Sequence, residues 1–215
     1  MDQYYVDQYY ICVNLTKKEF LTNHKGFAKL MEHSWMQNSF LFAANYLLTP
    51  GQDWYKTRIV WAGDYMDVDL FLPKTARNKK QNLYDYAAKN YRKRFVDVYK
   101  ILSNMYPEHA IAKMLEGHDK DDINFVLIGK FNEDFPYIVN HTKKEYVDKQ
   151  KCPPCPDDWT IHPLSLLTAS GNGQGGWDFH GNNQYVGTWA GDVLSAESLP
   201  PAGYKEIRPD FIEQD

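Results

Sequence analysis

The chain has 215 residues, 43% apolar and 24% charged, with a net charge of −4. It can bury a core, and it is neither a disordered polyelectrolyte nor a basic protein built for generic nucleic-acid binding. Aromatic residues make up 15%, with sixteen Tyr, which predicts half-buried rings whose polar tips need partners.

The length suits a single domain, 1–215. Residues 1–10, "MDQYYVDQYY", carry no basic n-region and no apolar h-region, so a secretory leader is not expected. The most apolar window, residues 40–48, falls far short of the ~20 residues a membrane helix needs. These features predict a soluble, cytoplasmic protein without a membrane partner.

Taken in chain order, "YICVN" at 10–14 is rich in β-branched and aromatic residues and reads as a strand. The following T-K-K-E is either a helix-capping signature or a polar turn. Phe27, Leu30, Met31, Trp35, Leu41 and Phe42 then lie near helical spacing, and 40–48 is apolar on nearly all sides. "LLT" at 47–49 and "RIVWAGD" at 58–64 read as further strands, with Gly63 as a bulge or turn point.

From Leu83 to Tyr106 apolar residues recur at i, i+3, i+4 and i+7, predicting one linker helix between Asn82 as N-cap and Pro107. A shorter helix, "EHAIAKMLEG", ends at Gly117. "DINFVLIGKF", 122–131, reads as a buried strand.

"VNLTKKEF" at 13–20 then returns as "VNHTKKEY" at 139–146, with six of eight positions identical. "LLT" returns at 166–168 and "WAGD" at 189–192, in the same order. The expectation is an internal duplication, copy one over 9–69 and copy two over 136–196. Residues 70–135 form a linker of helices and a strand, and 197–215 a tail. The fold class expected is α+β, a mainly antiparallel sheet with helices on one side and a pseudo-twofold between the copies.

Chemistry is sought where the copies differ. After "LLT", copy two carries "ASGNGQGGWDFHGNNQ", which holds five of the thirteen glycines. Glycines let a backbone approach a ligand closely, and successive amides can cradle an anion. Asn172, Gly173, Gly175, Gly176 and Trp177, with Trp189 nearby, are the candidate ligand-binding residues. No Lys-Ser or Lys-Thr follows the glycines, so a phosphate-binding loop of the P-loop kind is not indicated.

Asp178, His180 and Asp192 are candidate metal ligands, since residues two apart on a ribbon share a face and three ligands suffice for an open catalytic site. His141 and Glu145 are candidate catalytic residues. The residues kept in both copies, Asn140, Thr142, Lys143, Lys144 and Glu145, favour a structural role. The pair Cys152 and Cys155 in "CPPC" reads as a structural loop, because no second C-x-x-C completes a zinc site. Residues 74–100 hold nine basic and two acidic side chains. They suggest either nucleic-acid contact or docking against the acidic remainder.

"VNHTKKEYVDK", "IHPLSLLTASGNGQGGWDFHG" and "VGTWAGDVLSAE" resemble segments of a group of proteins of bacteria, their phages and some large viruses. In that group the loop typically reads G-N-G-R-G-G-G-D before a G-x-W-A-x-D strand. The resemblance implies no activity. Gln174 stands where the group has Arg, and Trp177 where it has a third Gly, so an anion grip by that Arg is not carried over. The function expected is an intracellular accessory protein, of the phage type, that binds a small molecule or another protein. The cofactor is left unassigned. The alternatives are a metal-assisted hydrolase built on the glycine loop and a nucleic-acid-associated protein acting through 74–100.

Overall fold

The computed structural model describes residues 8–21, 29–65, 71–77, 81–119, 122–154, 160–171 and 184–211. Nine strands form one sheet among them: β1 Tyr10–Asn14, β2 Glu19–Leu21, β3 Thr57–Gly63, β4 Arg92–Arg94, β5 Tyr137–Asn140, β6 Glu145–Asp148, β7 Ala169–Ser170, β8 Val193–Glu197 and β9 Lys205–Glu206. Their order is β4-β2-β1-β3-β8-β5-β6-β9, with β7 beside β3. Pairing is antiparallel except for β2–β4, β3–β7 and β6–β9. The fold is α+β with a mainly antiparallel sheet.

The order reads alike from either end. Two hairpins, β1–β2 and β5–β6, flank a central pair, β3–β8, and each carries a short parallel strand outside it. The outer strands β4 and β9 come from the linker and the tail and complete the two halves.

The same contacts recur in both hairpin turns. Asn14 Oδ1 accepts the amides of Thr16 and Lys17, at 3.0 and 2.8 Å, and Asn140 Oδ1 those of Thr142 and Lys143, both at 2.9 Å. Lys18 and Lys144 then take the left-handed conformation, at φ 54° and 55°. Thr16 Oγ1 accepts the Arg58 amide and Thr142 Oγ1 the Val193 amide. T-K-K-E is therefore a hairpin turn in both places, and it caps no helix.

Its glutamates reach into the core. Glu19 accepts the indole N–H of Trp54 at 2.8 Å, and Glu145 that of Trp189 at 3.1 Å. The counterpart of Trp189 is thus Trp54. The repeated "WAGD" misaligned the two halves, since Trp61 lies in β3 and gives its indole N–H to His33.

Six helices accompany the sheet among the described residues: α1 Ser39–Leu47, α2 Leu83–Asn90, α3 Val98–Met105, α4 Glu108–Met114, α5 Ile123–Asp134 and α6 Pro163–Thr168. Asn38 caps α1 by accepting the amides of Phe40 and Leu41. The helix is apolar on all sides because it is covered on two. Leu41, Ala44 and Leu47 join the sheet core with Trp54, Trp61 and Trp189, while Phe42 packs with Leu102 of α3 and Phe131 of α5. The "LLT" segments are not strands; both sit at the ends of these core helices, Leu47 in α1 and Leu166–Thr168 in α6.

Two further expectations are corrected. "DINFVLIGKF" is helix α5, whose buried Leu127, Ile128 and Phe131 follow helical spacing. The linker from Leu83 to Tyr106 is two helices, interrupted where Arg92–Arg94 pairs in parallel with β2 and Arg92 meets the carboxylate of Glu19. Nor do the helices keep to one side. Leu83 and Ala87 of α2 cover Ile11, Val13, Val60 and Ala62 on the opposite face of the first half.

Replacing Asn14 or Asn140 with Ala strips two turn amides of their acceptor, and each change should lower unfolding free energy by about 1–3 kcal/mol. Urea unfolding with an unchanged m-value checks this; an effect within a few tenths of a kcal/mol would show the turns to be dispensable.

Candidate functional site

A cleft of about 660 Å³ opens beside α5, a size suited to a small ligand. Three of its walls come from separate parts of the chain. Gly129, Asn132 and Glu133 of α5 line it, and their i, i+3, i+4 spacing puts them on one helix face. Lys149 and Gln150 contribute a second wall from the 3-10 turn Lys149–Lys151 that follows β6, which Asp148 caps by accepting the Gln150 amide at 3.1 Å. Met36, Gln37 and Thr160 make the third. That wall is pinned where the Met36 amide bonds to the Thr160 carbonyl and the His162 amide to the Ser34 carbonyl.

Polar side chains that the core would ordinarily exclude lie against this cleft. Lys149, Asn45 and His162 are at most 1% exposed, and Asn132 is 6% exposed. Lys149 Nζ donates to Asn132 Oδ1 at 2.7 Å. Asn132 Nδ2 donates to the Met36 carbonyl at 2.8 Å, which fixes the orientation of its amide. The Asn45 amide lies 3.3 Å from Asn132 Oδ1 and 3.2 Å from His162 Nε2. His162 Nδ1 accepts the Leu164 amide, as the N-cap of a helix that begins with Pro163. Asn45 Oδ1 has no partner among the described residues.

The charge state follows from this geometry. Lys149 has no carboxylate within salt-bridge distance among the described residues, only one amide oxygen and the ring of Phe131 at 5.6 Å. An ammonium there would leave N–H groups unsatisfied. Burial pushes the amine well below its ordinary value of 10.5, against the opposing pull of Cys152 and Asp148. Burial likewise holds His162 well below 6.5, with the neighbouring Lys149 adding to the effect. The Cys152 thiol is raised to about 12, by burial first and then by Asp148. That excludes a reactive thiolate.

Asn172, Gly173, Gly175, Gly176, Trp177, Asp178 and His180 lie outside the described residues. Trp189 is 1% exposed and belongs to the core. Asp192 accepts from Asn140 Nδ2 at 2.8 Å, with Lys143 Nζ at 3.7 Å. Among the described residues no group of three His, Cys, Asp or Glu could hold a metal ion. Glu145 is engaged by Trp189.

His141 does meet a serine. Its Nε2 is 2.8 Å from Ser195 Oγ, and its Nδ1 is 3.2 Å from Tyr204 Oη. Ser195, however, is fully buried and gives its hydroxyl proton to Glu197 at 2.7 Å. His141 Nε2–H must then donate to Ser195 Oγ, the reverse of the polarity that activates a nucleophile. The cluster is a hydrogen-bond chain that ties β8 to the hairpin.

Two of the nine basic residues in 74–100 meet carboxylates, Arg92 on Glu19 and Arg94 on Asp53. No helix among the described residues is long and apolar enough to cross a membrane. Comparison with protein-family models, with curated proteins and with solved structures returns no match to this chain.

Lys149, Asn132, Asn45, His162 and Gly129 escaped sequence reasoning. The signals present were a helix-interior glycine in "FVLIGKF" and a His immediately before the Pro that opens a helix.

A pH profile tests the buried amine. The unfolded chain holds the Lys149 proton up to 10.5 and the folded chain releases it earlier, so stability rises with pH across that window, by up to about 1.4 kcal/mol per pH unit. The raised thiols of Cys12 and Cys152 oppose this only as pH approaches 9.0 and above. The lowered histidines His33 and His162 add to it only below 6.5. Between 6.5 and 9.0, clear of the histidines and the thiols, the parent should therefore gain more stability with rising pH than Lys149→Met does. Equal slopes would mean that Lys149 is charged in the fold.

Proposed function

We propose that this protein binds a small polar ligand in the cleft between α5, the Lys149–Lys151 turn and Met36–Gln37. The observation that carries the reading is Gly129. It sits in the interior of α5, where glycine costs about 1 kcal/mol relative to alanine, and a Cβ added there would meet nothing within 4 Å. Packing does not require the glycine. What it does is leave the helix backbone open on the cleft side, next to Asn132 and Lys149. The buried polar cluster supports the same reading, because stability alone is better served by apolar residues at such positions. An accessory role of the phage type is compatible with a binding activity of this kind.

We also infer that the two halves descend from one duplicated unit, because turn, cap, indole–carboxylate bond and outer parallel strand recur in the same order. The halves have diverged around a common frame. Tyr146→Phe, which restores the first-half aromatic, should then cost under about 1.5 kcal/mol in denaturant unfolding, and adding His141→Leu, which takes the partner from buried Ser195, should cost about 1–3 kcal/mol more without loss of the fold. Loss of the folded state would argue that the two turns are not interchangeable.

The cleft is tested by filling it. Gly129→Ala should stabilise the protein by about 0.5–1 kcal/mol, and Gly129→Leu should remain folded while occupying the cleft. A thermal-shift screen of small neutral hydroxylated and amide compounds should yield hits on the parent that disappear in Gly129→Leu. Hits that survive the substitution, or none at all, would sink the proposal.

A further inference from the structure

We propose that Lys149 is a covalent capture group, its amine forming an imine with a small hydroxylated aldehyde or ketone held in the cleft. This rests on the cleft being a ligand site and goes beyond it by naming the chemistry.

The geometry selects both the group and the ligand. A primary amine lies in the cleft wall, held among the described residues by a single acceptor, Asn132 Oδ1 at 2.7 Å. No carboxylate among the described residues pairs with it to keep it an ammonium, and burial disfavours that charge. An uncharged amine has a free lone pair, the requirement for attack on a carbonyl carbon. Gln37, Gln150 and Thr160 line the cleft with amide and hydroxyl groups, while among the described residues Glu133 is the one acidic side chain that lines it and no arginine does. That lining suits a neutral hydroxylated compound and disfavours an anion. Lys149 itself is fully buried, so the ligand reaches Nζ only when the side chains that cover it give way.

The step balances without redox chemistry. The Nζ lone pair forms a C–N bond as the carbonyl π pair moves to oxygen. That oxygen takes up a proton as nitrogen loses one, giving a carbinolamine. Loss of the hydroxyl group and the remaining N–H proton as water leaves the C=N bond. Aldehyde and amine become imine and water, and hydrolysis reverses the capture.

The experiment uses the full chain with glycolaldehyde and cyanoborohydride at about pH 6.5, where exposed lysines are protonated. Peptide mass spectrometry locates the reduced adduct. The expected result is saturable modification of Lys149, roughly tenfold or more faster than of any exposed lysine, since each unit by which the amine is lowered raises its reactive fraction tenfold. Propanal and glyoxylate should label more slowly. Gly129→Leu should block the reaction with Lys149 still in place, and Asn132→Asp, which sets a carboxylate against the amine, should suppress it at this pH. Adducts confined to exposed lysines, or Lys149 labelled no faster than they are, would overturn the proposal. Compounds that bind the parent but not Gly129→Leu, with no adduct at Lys149, would overturn imine formation and leave the cleft as a binding site. An absence of any Gly129-dependent binding would remove both.

Discussion

Two buried indole N–H groups set the terms for this fold. Trp54 and Trp189 lie in the centre of the main core, and each must find an acceptor there or carry an unsatisfied donor. Each finds a glutamate at the first position of the return strand of a hairpin, Glu19 for Trp54 and Glu145 for Trp189. A carboxylate can be delivered to that place only if the turn before it is held to one shape. Asn14 and Asn140 hold it by collecting two amides each, and Lys18 and Lys144 accept left-handed backbone to complete it. The threonine of each turn then fastens the hairpin to the neighbouring central strand. The invariance of N-x-T-K-K-E across the halves is therefore a chain of physical necessity that runs from an indole in the core to a loop at the surface.

Around that shared frame the same face of the sheet has been treated differently in the two halves. In the first half the outer face is closed by α2 over Ile11, Val13, Val60 and Ala62. In the second half β8 carries Ser195 and Glu197, and His141 of the hairpin turn joins them in a directed row of hydrogen bonds that starts at Tyr204. Apolar residues under a helix and polar residues in a closed chain are two solutions to one problem, which is how to finish a sheet face. The second needs no additional helix but requires every donor and acceptor to be matched.

The repeated octapeptide marked both segments as structural, but T-K-K-E reads equally as a helix cap or a turn, and only the strand that returns after it makes it a hairpin. The strand 10–14 and the cap at Asn82 were legible for local reasons. Other features were hidden. "WAGD" recurs in letters but not in geometry, since Trp61 and Trp189 satisfy their indoles in unrelated ways, on His33 and on Glu145. The run 122–131 is apolar enough for either a strand or a helix, and only its packing against α1 and α3 decides. Lys149 was invisible because a lysine in a charged stretch normally faces water. Its burial depends on Asn132, seventeen residues away in sequence and a neighbour only in the fold.

The sheet ends on one side in Arg92–Arg94 and on the other in Lys205–Glu206, strands of three and two residues that join by parallel pairing. Such short, charged margins offer another chain too few open backbone groups to extend the ladder, and cationic side chains add an electrostatic deterrent. A sheet this wide would otherwise be a template for growth, copy upon copy, into fibres or amorphous precipitate. With its margins blunted, the molecule can hold its open hydrogen-bonding edges in crowded solution, and association with other proteins falls to its side chains rather than to its backbone.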